Sequence, residues 1–201
     1  MKFRGGVCTI ERYQGKEGRE MTRSGWQRTW VRILTTLLTA AVMVMIFGFS
    51  TENAEKSDHR SGVFAGRLVR LLYPDFDRMD PEQQEEAFFE SQVIVRKCAH
   101  VTEYTVLGFL IRLCLESWFG HRMKRLRTLS LGAFGAGTVY ACTDEAHQLA
   151  IDGRAGLWTD VLVDAGGVLA GILIAVLLIR LAERMNEKRN RGEEDGILHE
   201  Q

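Results

Sequence analysis

The sequence predicts an all-α protein: a four-span transmembrane helical bundle with a long, partly helical outer loop. Two apolar runs support this prediction, because residues 31–49 contain one charged side chain, Arg32, and residues 161–179 contain only Asp164. Each run has about the 20 residues that a helix needs to cross a bilayer core. The mean hydropathy of the chain is near zero only because charged residues are concentrated between and beyond these runs.

The expected spans are residues 30–49, 93–119, 129–148 and 160–181. They divide the chain into a basic cytoplasmic tail (1–29), a membrane domain (30–181) and a charged cytoplasmic tail (182–201). The first span is longer than the apolar core of a cleaved signal peptide and begins later, so we expect an uncleaved anchor. The alternative is a soluble bundle with very apolar core helices, which is disfavoured because the runs lack a polar face.

The distribution of Lys and Arg predicts the orientation. The N-terminal tail, the loop GHRMKRLRT and the C-terminal tail are rich in Lys and Arg, whereas residues 50–92 carry five basic and ten acidic side chains. Basic loops remain in the cytoplasm. Both termini are therefore expected there, in agreement with an even number of spans. The net charge of zero gives no basic field for nucleic acid.

Ionisable and polar residues collect at the predicted outer ends of three spans. Charged groups at membrane depth are costly, so they usually face a bundle interior or a water-filled cavity. Arg96, His100 and Glu103 share one helical face of the second span, and Asp160 and Asp164 share one on the fourth. The sequence therefore predicts a polar pocket at the outer face. Its candidate residues are Arg96, Lys97, His100, Glu103, Tyr104, Asp144, Glu145, His147, Gln148, Arg154, Asp160 and Asp164.

Several chemistries fit these residues. Arg96, Lys97 and Arg154 suit a phosphate or carboxylate, whereas an internal salt-bridge network would only neutralise buried charge. Asp144 and Asp164 suit acid–base hydrolysis, but no nucleophile has a recognisable motif. A zinc or manganese site is disfavoured because the spacing of His and Glu matches no zinc-protease pattern. The four cysteines show neither metal spacing nor a disulfide framework. We therefore predict no metal and no cofactor.

Two further patterns concern the outer loop and the last span. SGVFAGRLVRLLYPDF has apolar residues at helical spacing and is expected to lie on the membrane surface. Asp80 and Pro81 are typical of the start of a helix, which is expected to continue into the second span. Gly167 and Gly171 are expected to allow close helix packing.

The segments RKCAHVTEYTVLG and YACTDEAHQLAIDGRAGLWTDVLVDAGGVLAG together resemble the VanZ-like family, and FGFSTENAEKSD resembles its exit from the first span. The resemblance covers about residues 30–180. It implies a four-span bacterial membrane protein, and the family's founding example is linked to teicoplanin resistance. One departure is Asp164, where Asn is commoner. The functional candidates implied by the resemblance are Lys97, His100, Glu103, Tyr104, Asp144, Glu145, His147, Gln148, Arg154 and Asp160.

Two functions follow as expectations. In the first, a VanZ-like protein of the bacterial cell membrane binds or acts on a cell-wall precursor, a lipid carrier or a glycopeptide antibiotic at its outer pocket. In the second, a membrane enzyme modifies a lipid-linked substrate with the His and carboxylate groups. An energy-driven pump is not expected, because the sequence has no nucleotide-binding loop. The expected partner is a membrane lipid or a lipid-linked cell-wall precursor, or alternatively a glycopeptide. Nucleic acid is not expected as a partner, and the sequence makes no prediction of the oligomeric state.

Overall fold

The structure of the chain is a computed structural model that describes residues 6–51, 54–120, 126–151 and 158–199. These parts of the chain form five α-helices and a short 3₁₀ helix, and they contain no strand. The α-helices are α1 (Gly6–Ser50), α2 (Ala54–Leu72), α3 (Pro81–Phe119), α4 (Leu126–Gln148) and α5 (Trp158–His199), and the 3₁₀ helix is Phe76–Arg78. The predicted all-α class is confirmed.

Three helical segments in the described parts are long and apolar enough to cross a membrane: Arg28–Ser50, Pro81–Phe119 and Trp158–Arg191. The expected third span forms α4, whose 23 residues extend about 34 Å at ~1.5 Å per residue. It is not among the three, and its last turns carry the polar sequence TDEAHQ. The expected count of four is thus one more than length and composition support.

The start of α3 agrees with its sequence signals. The Asp80 side chain accepts a hydrogen bond from the Gln83 backbone N–H at 2.9 Å, and Pro81 occupies the first helical position. From there a single helix of 39 residues continues through the predicted second span. The expected N-cap and the expected continuation into the span are therefore both confirmed.

The helix α3 lies at the centre of the bundle, since it packs against each of the other four α-helices. Its closest neighbour is α5, and glycines make this closeness possible. A Cβ at Gly167 would lie 2.8 Å from the Val101 carbonyl oxygen, and one at Gly171 would collide with the Thr105 carbonyl. The expected packing role of these two glycines is confirmed. The buried core comprises Ile46, Tyr104, Leu107, Ile111, Ala133, Ala141, Val168 and Ile172.

The outer surface of the bundle is strongly apolar. Val44 is 72% exposed and Leu131 71% exposed, and many other large apolar side chains on α1, α4 and α5 are exposed as well. Contiguous apolar surface of this kind is unfavourable in water and normal against lipid chains. The exposure therefore argues against the soluble-bundle alternative.

One face of α2 packs on α3 and the other is exposed. Ala65 and Val69 are buried, and Gly62 approaches Phe88 and Gln92 of α3. Val63, Phe64, Leu71 and Leu72 of the same helix are exposed. That α2 lies on the membrane surface remains a prediction.

Candidate ligand-binding site

A cavity of about 270 Å³ lies where α1 ends, α2 and α3 pass, and α4 ends. We call the end of the bundle that contains this cavity the polar end. The α3 side of the cavity is formed by Arg96, His100 and Glu103. These residues are four and three positions apart, so an α-helix places them on one face. The sequence spacing that suggested convergence is thus realised in the structure.

The remaining walls give the cavity an amphipathic lining. Apolar side chains come from α1, α2 and α3, and hydroxyl groups come from Ser50 and Ser61. Both serines are buried, at 3% and 6% exposure. The apolar lining consists of Ile46, Phe49, Phe64, Val95 and Ala99.

Asp144 is the contribution of α4 to this cavity. Its side chain is 97% buried, since only 3% is exposed. One carboxylate oxygen, Oδ2, accepts a hydrogen bond from Gln148 Nε2 at 3.2 Å. The other oxygen, Oδ1, has no hydrogen-bond partner among the described residues. The Tyr104 hydroxyl, which is also buried without a hydrogen-bond partner among the described residues, neighbours this carboxyl group. A buried acceptor without a donor is energetically costly.

Two contacts between a basic and an acidic side chain connect α3 with the first turns of α5, next to the cavity. The distance from His100 Nδ1 to Asp164 Oδ1 is 3.6 Å, and the distance from Lys97 Nζ to Asp160 Oδ1 is 3.5 Å. Asp164 is 1% exposed, whereas the Lys97 side chain is 52% exposed. The first pair therefore lies in the bundle interior, and the second lies at its surface.

The other candidates surround the cavity without lining it. Tyr104 is fully buried, with its ring centroid 6.3 Å from that of Tyr140, and it neighbours Asp144 and Asp164. Glu145 and Gln148 are buried on α4. His147 stacks on Phe47 with ring centroids 4.7 Å apart.

Arg154 lies outside the described residues, so its expected role stays a prediction. Of the other eleven candidates, four line the cavity, four lie behind or beside them, and Lys97, Asp160 and Asp164 take part in the adjoining contacts between α3 and α5. The functional role of each candidate remains a prediction. The described residues contain no group of three His, Cys, Asp or Glu side chains arranged to hold a metal ion.

Sequence reasoning missed two features. The first is the contribution of α2, because nothing local in the sequence indicates that Ser61 and Phe64 face α3 and α1. The second feature is the fully buried side chain of Arg112, toward the opposite end of α3. Its Nη1 donates to Glu116 Oε2 at 2.7 Å, and its Nε donates to Ser130 Oγ at 3.3 Å. The spacing of four residues between Arg112 and Glu116 within an apolar span was the available signal.

Comparison with known proteins gives one match. A family model described as VanZ/LLP1 matches residues 35–180, a range that includes all twelve candidate residues. No curated protein and no solved structure matches the chain.

Proposed function

The chain belongs to the VanZ/LLP1 family, and from that premise we propose that it is a ligand-binding protein of the bacterial cell membrane. The ligand class is amphipathic: a lipid-linked cell-wall precursor, a lipid carrier or a glycopeptide antibiotic. The family assignment and the three apolar helices make the chain a membrane protein. The amphipathic cavity at the polar end is the observation that carries the binding function.

The lining of the cavity supports this proposal because it has a charged part and an apolar part. Arg96, His100, Glu103 and Asp144 provide charged or titratable groups, while Ile46, Phe49 and Phe64 provide apolar and aromatic surface. Ligand sites are typically apolar concavities with a few polar groups that fix orientation. A molecule with a polar head and a hydrocarbon part matches both halves of this lining.

We place the cavity at the outer membrane face, with four spans and both termini in the cytoplasm. The Lys and Arg bias of the sequence supports this orientation. The packing of α4 against α3 and α5 supports its inclusion as the fourth span. Neighbouring helices and a polar cavity lower the cost of the charged groups in its last turns.

A second candidate function is a membrane enzyme acting on a lipid-linked substrate. The observation that favours it is the pair of His100 and buried Asp164, 3.6 Å apart, with His100 on the cavity wall. A carboxylate that orients a histidine is a recurrent arrangement for general acid–base catalysis. Conversion of a lipid-linked substrate that is lost in His100→Gln, with binding retained, distinguishes this function from binding alone.

The binding proposal is tested by filling the cavity. The full chain and its Ala99→Trp variant are purified in mild detergent, and co-purified lipids are identified by mass spectrometry. Ala99 is an exposed residue of the lining, so an indole there occupies cavity volume with little disturbance of the core. We expect the variant to lose most of a lipid species that the wild type retains.

The matched control is Ala136→Trp, since Ala136 is also exposed on a helix but does not line the cavity. It should retain the same lipid species as the wild type. Equal lipid content in all three proteins contradicts the proposal that the cavity binds an amphiphile.

A further inference from the structure

The cavity presents an unused acceptor, and this determines what kind of group can complete it. Asp144 is 3% exposed, and its Oδ1 atom accepts no hydrogen bond from the part of the chain that the structure describes. Leaving a buried carboxylate oxygen without a donor costs free energy that a bound donor would recover. A ligand seated here is therefore favoured if it carries N–H or O–H groups.

The surrounding charges indicate that this donor is positively charged. Glu103, Asp144, Glu145 and Asp160 are neighbours of Asp164, so five acidic side chains collect around the site. The cations among the described candidates are Arg96 and Lys97, and Lys97 is paired with Asp160. His100 is directed to Asp164. Among the candidate residues that the structure describes, acidic groups outnumber basic ones, which favours a cationic ligand over an anionic one.

We propose that the cavity recognises an amphiphile with a primary ammonium group, and that Asp144 Oδ1 accepts a hydrogen bond from this group. A primary ammonium provides three N–H donors, whereas a quaternary ammonium provides none. Hydrogen bonds between charged partners are also the strongest that a protein makes. The hydrocarbon part of the ligand contacts Ile46, Phe49 and Phe64. This inference rests on the proposed binding function and specifies its ligand.

The test measures head-group selectivity with lipids that share their acyl chains. The full chain in detergent is mixed with equal amounts of phosphatidylethanolamine, phosphatidylcholine and phosphatidylglycerol, and bound lipid is measured by native mass spectrometry. We expect phosphatidylethanolamine to bind roughly tenfold more tightly than the other two, which is the effect of one charge-assisted hydrogen bond.

The Asp144→Asn variant keeps the shape of the side chain and removes its charge. We expect its affinity for phosphatidylethanolamine to fall to the level of phosphatidylcholine, with phosphatidylcholine binding unchanged. The control variant is Glu86→Gln, which removes a carboxylate from an exposed position on α3, the helix that also carries Glu103. It should retain the full head-group selectivity of the wild type. Should Asp144→Asn fail to fold, the head-group comparison on the wild type still decides the proposal.

A second arm separates a phospholipid from another amine-bearing amphiphile. Dodecylamine is compared with dodecyltrimethylammonium, which has the same charge and no N–H donor. Preference for dodecylamine that depends on Asp144, without preference for phosphatidylethanolamine, supports the ammonium and assigns a source other than a phospholipid head group.

Two results overturn the inference, and they differ in what they leave standing. If neither arm shows a preference for the primary ammonium while Ala99→Trp still abolishes lipid binding, the ammonium is wrong and the binding function stands. If no probe shows binding that is sensitive to Ala99→Trp, both proposals are wrong.

Discussion

Single buried charges are the features that most distinguish this bundle from a simple apolar one. Arg112 is fully buried toward the far end of α3, and its partner Glu116 is 33% exposed. A buried pair is not a large net source of stability, because desolvation offsets the attraction between the charges. Removal of one partner is different, since the remaining charge stays in a medium that solvates it poorly.

We expect Glu116→Ala to reduce the free energy of unfolding by about 3–5 kcal/mol, because it leaves the buried Arg112 guanidinium without a carboxylate. The double variant Arg112→Met, Glu116→Ala should recover much of this loss, since it removes both charges and replaces the buried arginine with an apolar side chain. Thermal unfolding of the purified protein in detergent measures both effects.

Glu86→Ala is the control for this pair, because Glu86 is an exposed acid of the same helix. It should change the free energy of unfolding by no more than about 0.5 kcal/mol. A double variant that is no more stable than Glu116→Ala contradicts the account of an unpaired buried charge.

At the scale of elements, the contact of α3 with α5 positions the candidate site. The glycines at 108, 167 and 171 bring the two backbones together, and Gly108 would collide with Val168 if it carried a Cβ. This close approach brings His100 to Asp164 and Lys97 to Asp160. The contacts between α3 and α5 beside the cavity therefore depend on glycines, which carry no side chain.

Gly171→Ala should destabilise the protein by about 1–3 kcal/mol, the usual cost of overpacking. Its new methyl group would meet the Thr105 carbonyl and the Phe109 amide nitrogen, which are backbone atoms and cannot rotate away. The measurement is the shift in Tm of the detergent-solubilised protein.

Gly166 offers a matched control on the same helix, because a Cβ there meets nothing within 4 Å. Gly166→Ala should be neutral or slightly stabilising, since alanine favours a helix by up to about 1 kcal/mol over glycine. Equal effects of the two substitutions would show that the α3–α5 contact does not depend on glycine.

At the scale of the whole molecule, one orientation in the bilayer has to account for both the apolar exterior and the distribution of charged residues. The polar end contains the cavity, and the loop between α2 and α3 extends from the same end with exposed acids such as Asp77. The last helix, α5, carries a basic segment around Lys188, beyond its apolar part. From this distribution and the positive-inside rule, we propose that the polar end lies outside.

The orientation predicts which sites a membrane-impermeant thiol reagent reaches in intact cells. In a background without Cys8, Cys98, Cys114 and Cys142, a cysteine introduced by Asp77→Cys should be labelled. One introduced by Lys188→Cys should be labelled only after the cells are permeabilised. Labelling of the Lys188→Cys variant in intact cells reverses the assignment.

The sequence by itself determined the helical class, the apolar segments, the start of α3 and the residue types of the site, because these follow from local composition and periodicity. Hydrophobic length indicates a helix that can enter a bilayer, and Asp80 with Pro81 marks a helix start. Helical spacing also identified the shared face of Arg96, His100 and Glu103.

Only the tertiary structure decided how these faces meet. That Ser61 and Phe64 complete the cavity, that Asp144 retains an unpartnered oxygen, and that Arg112 donates to Ser130 of α4 all depend on contacts between helices. Such contacts are set by the rotation and separation of packed helices. Those quantities follow from the fit of many side chains at once, and no local sequence signal encodes them.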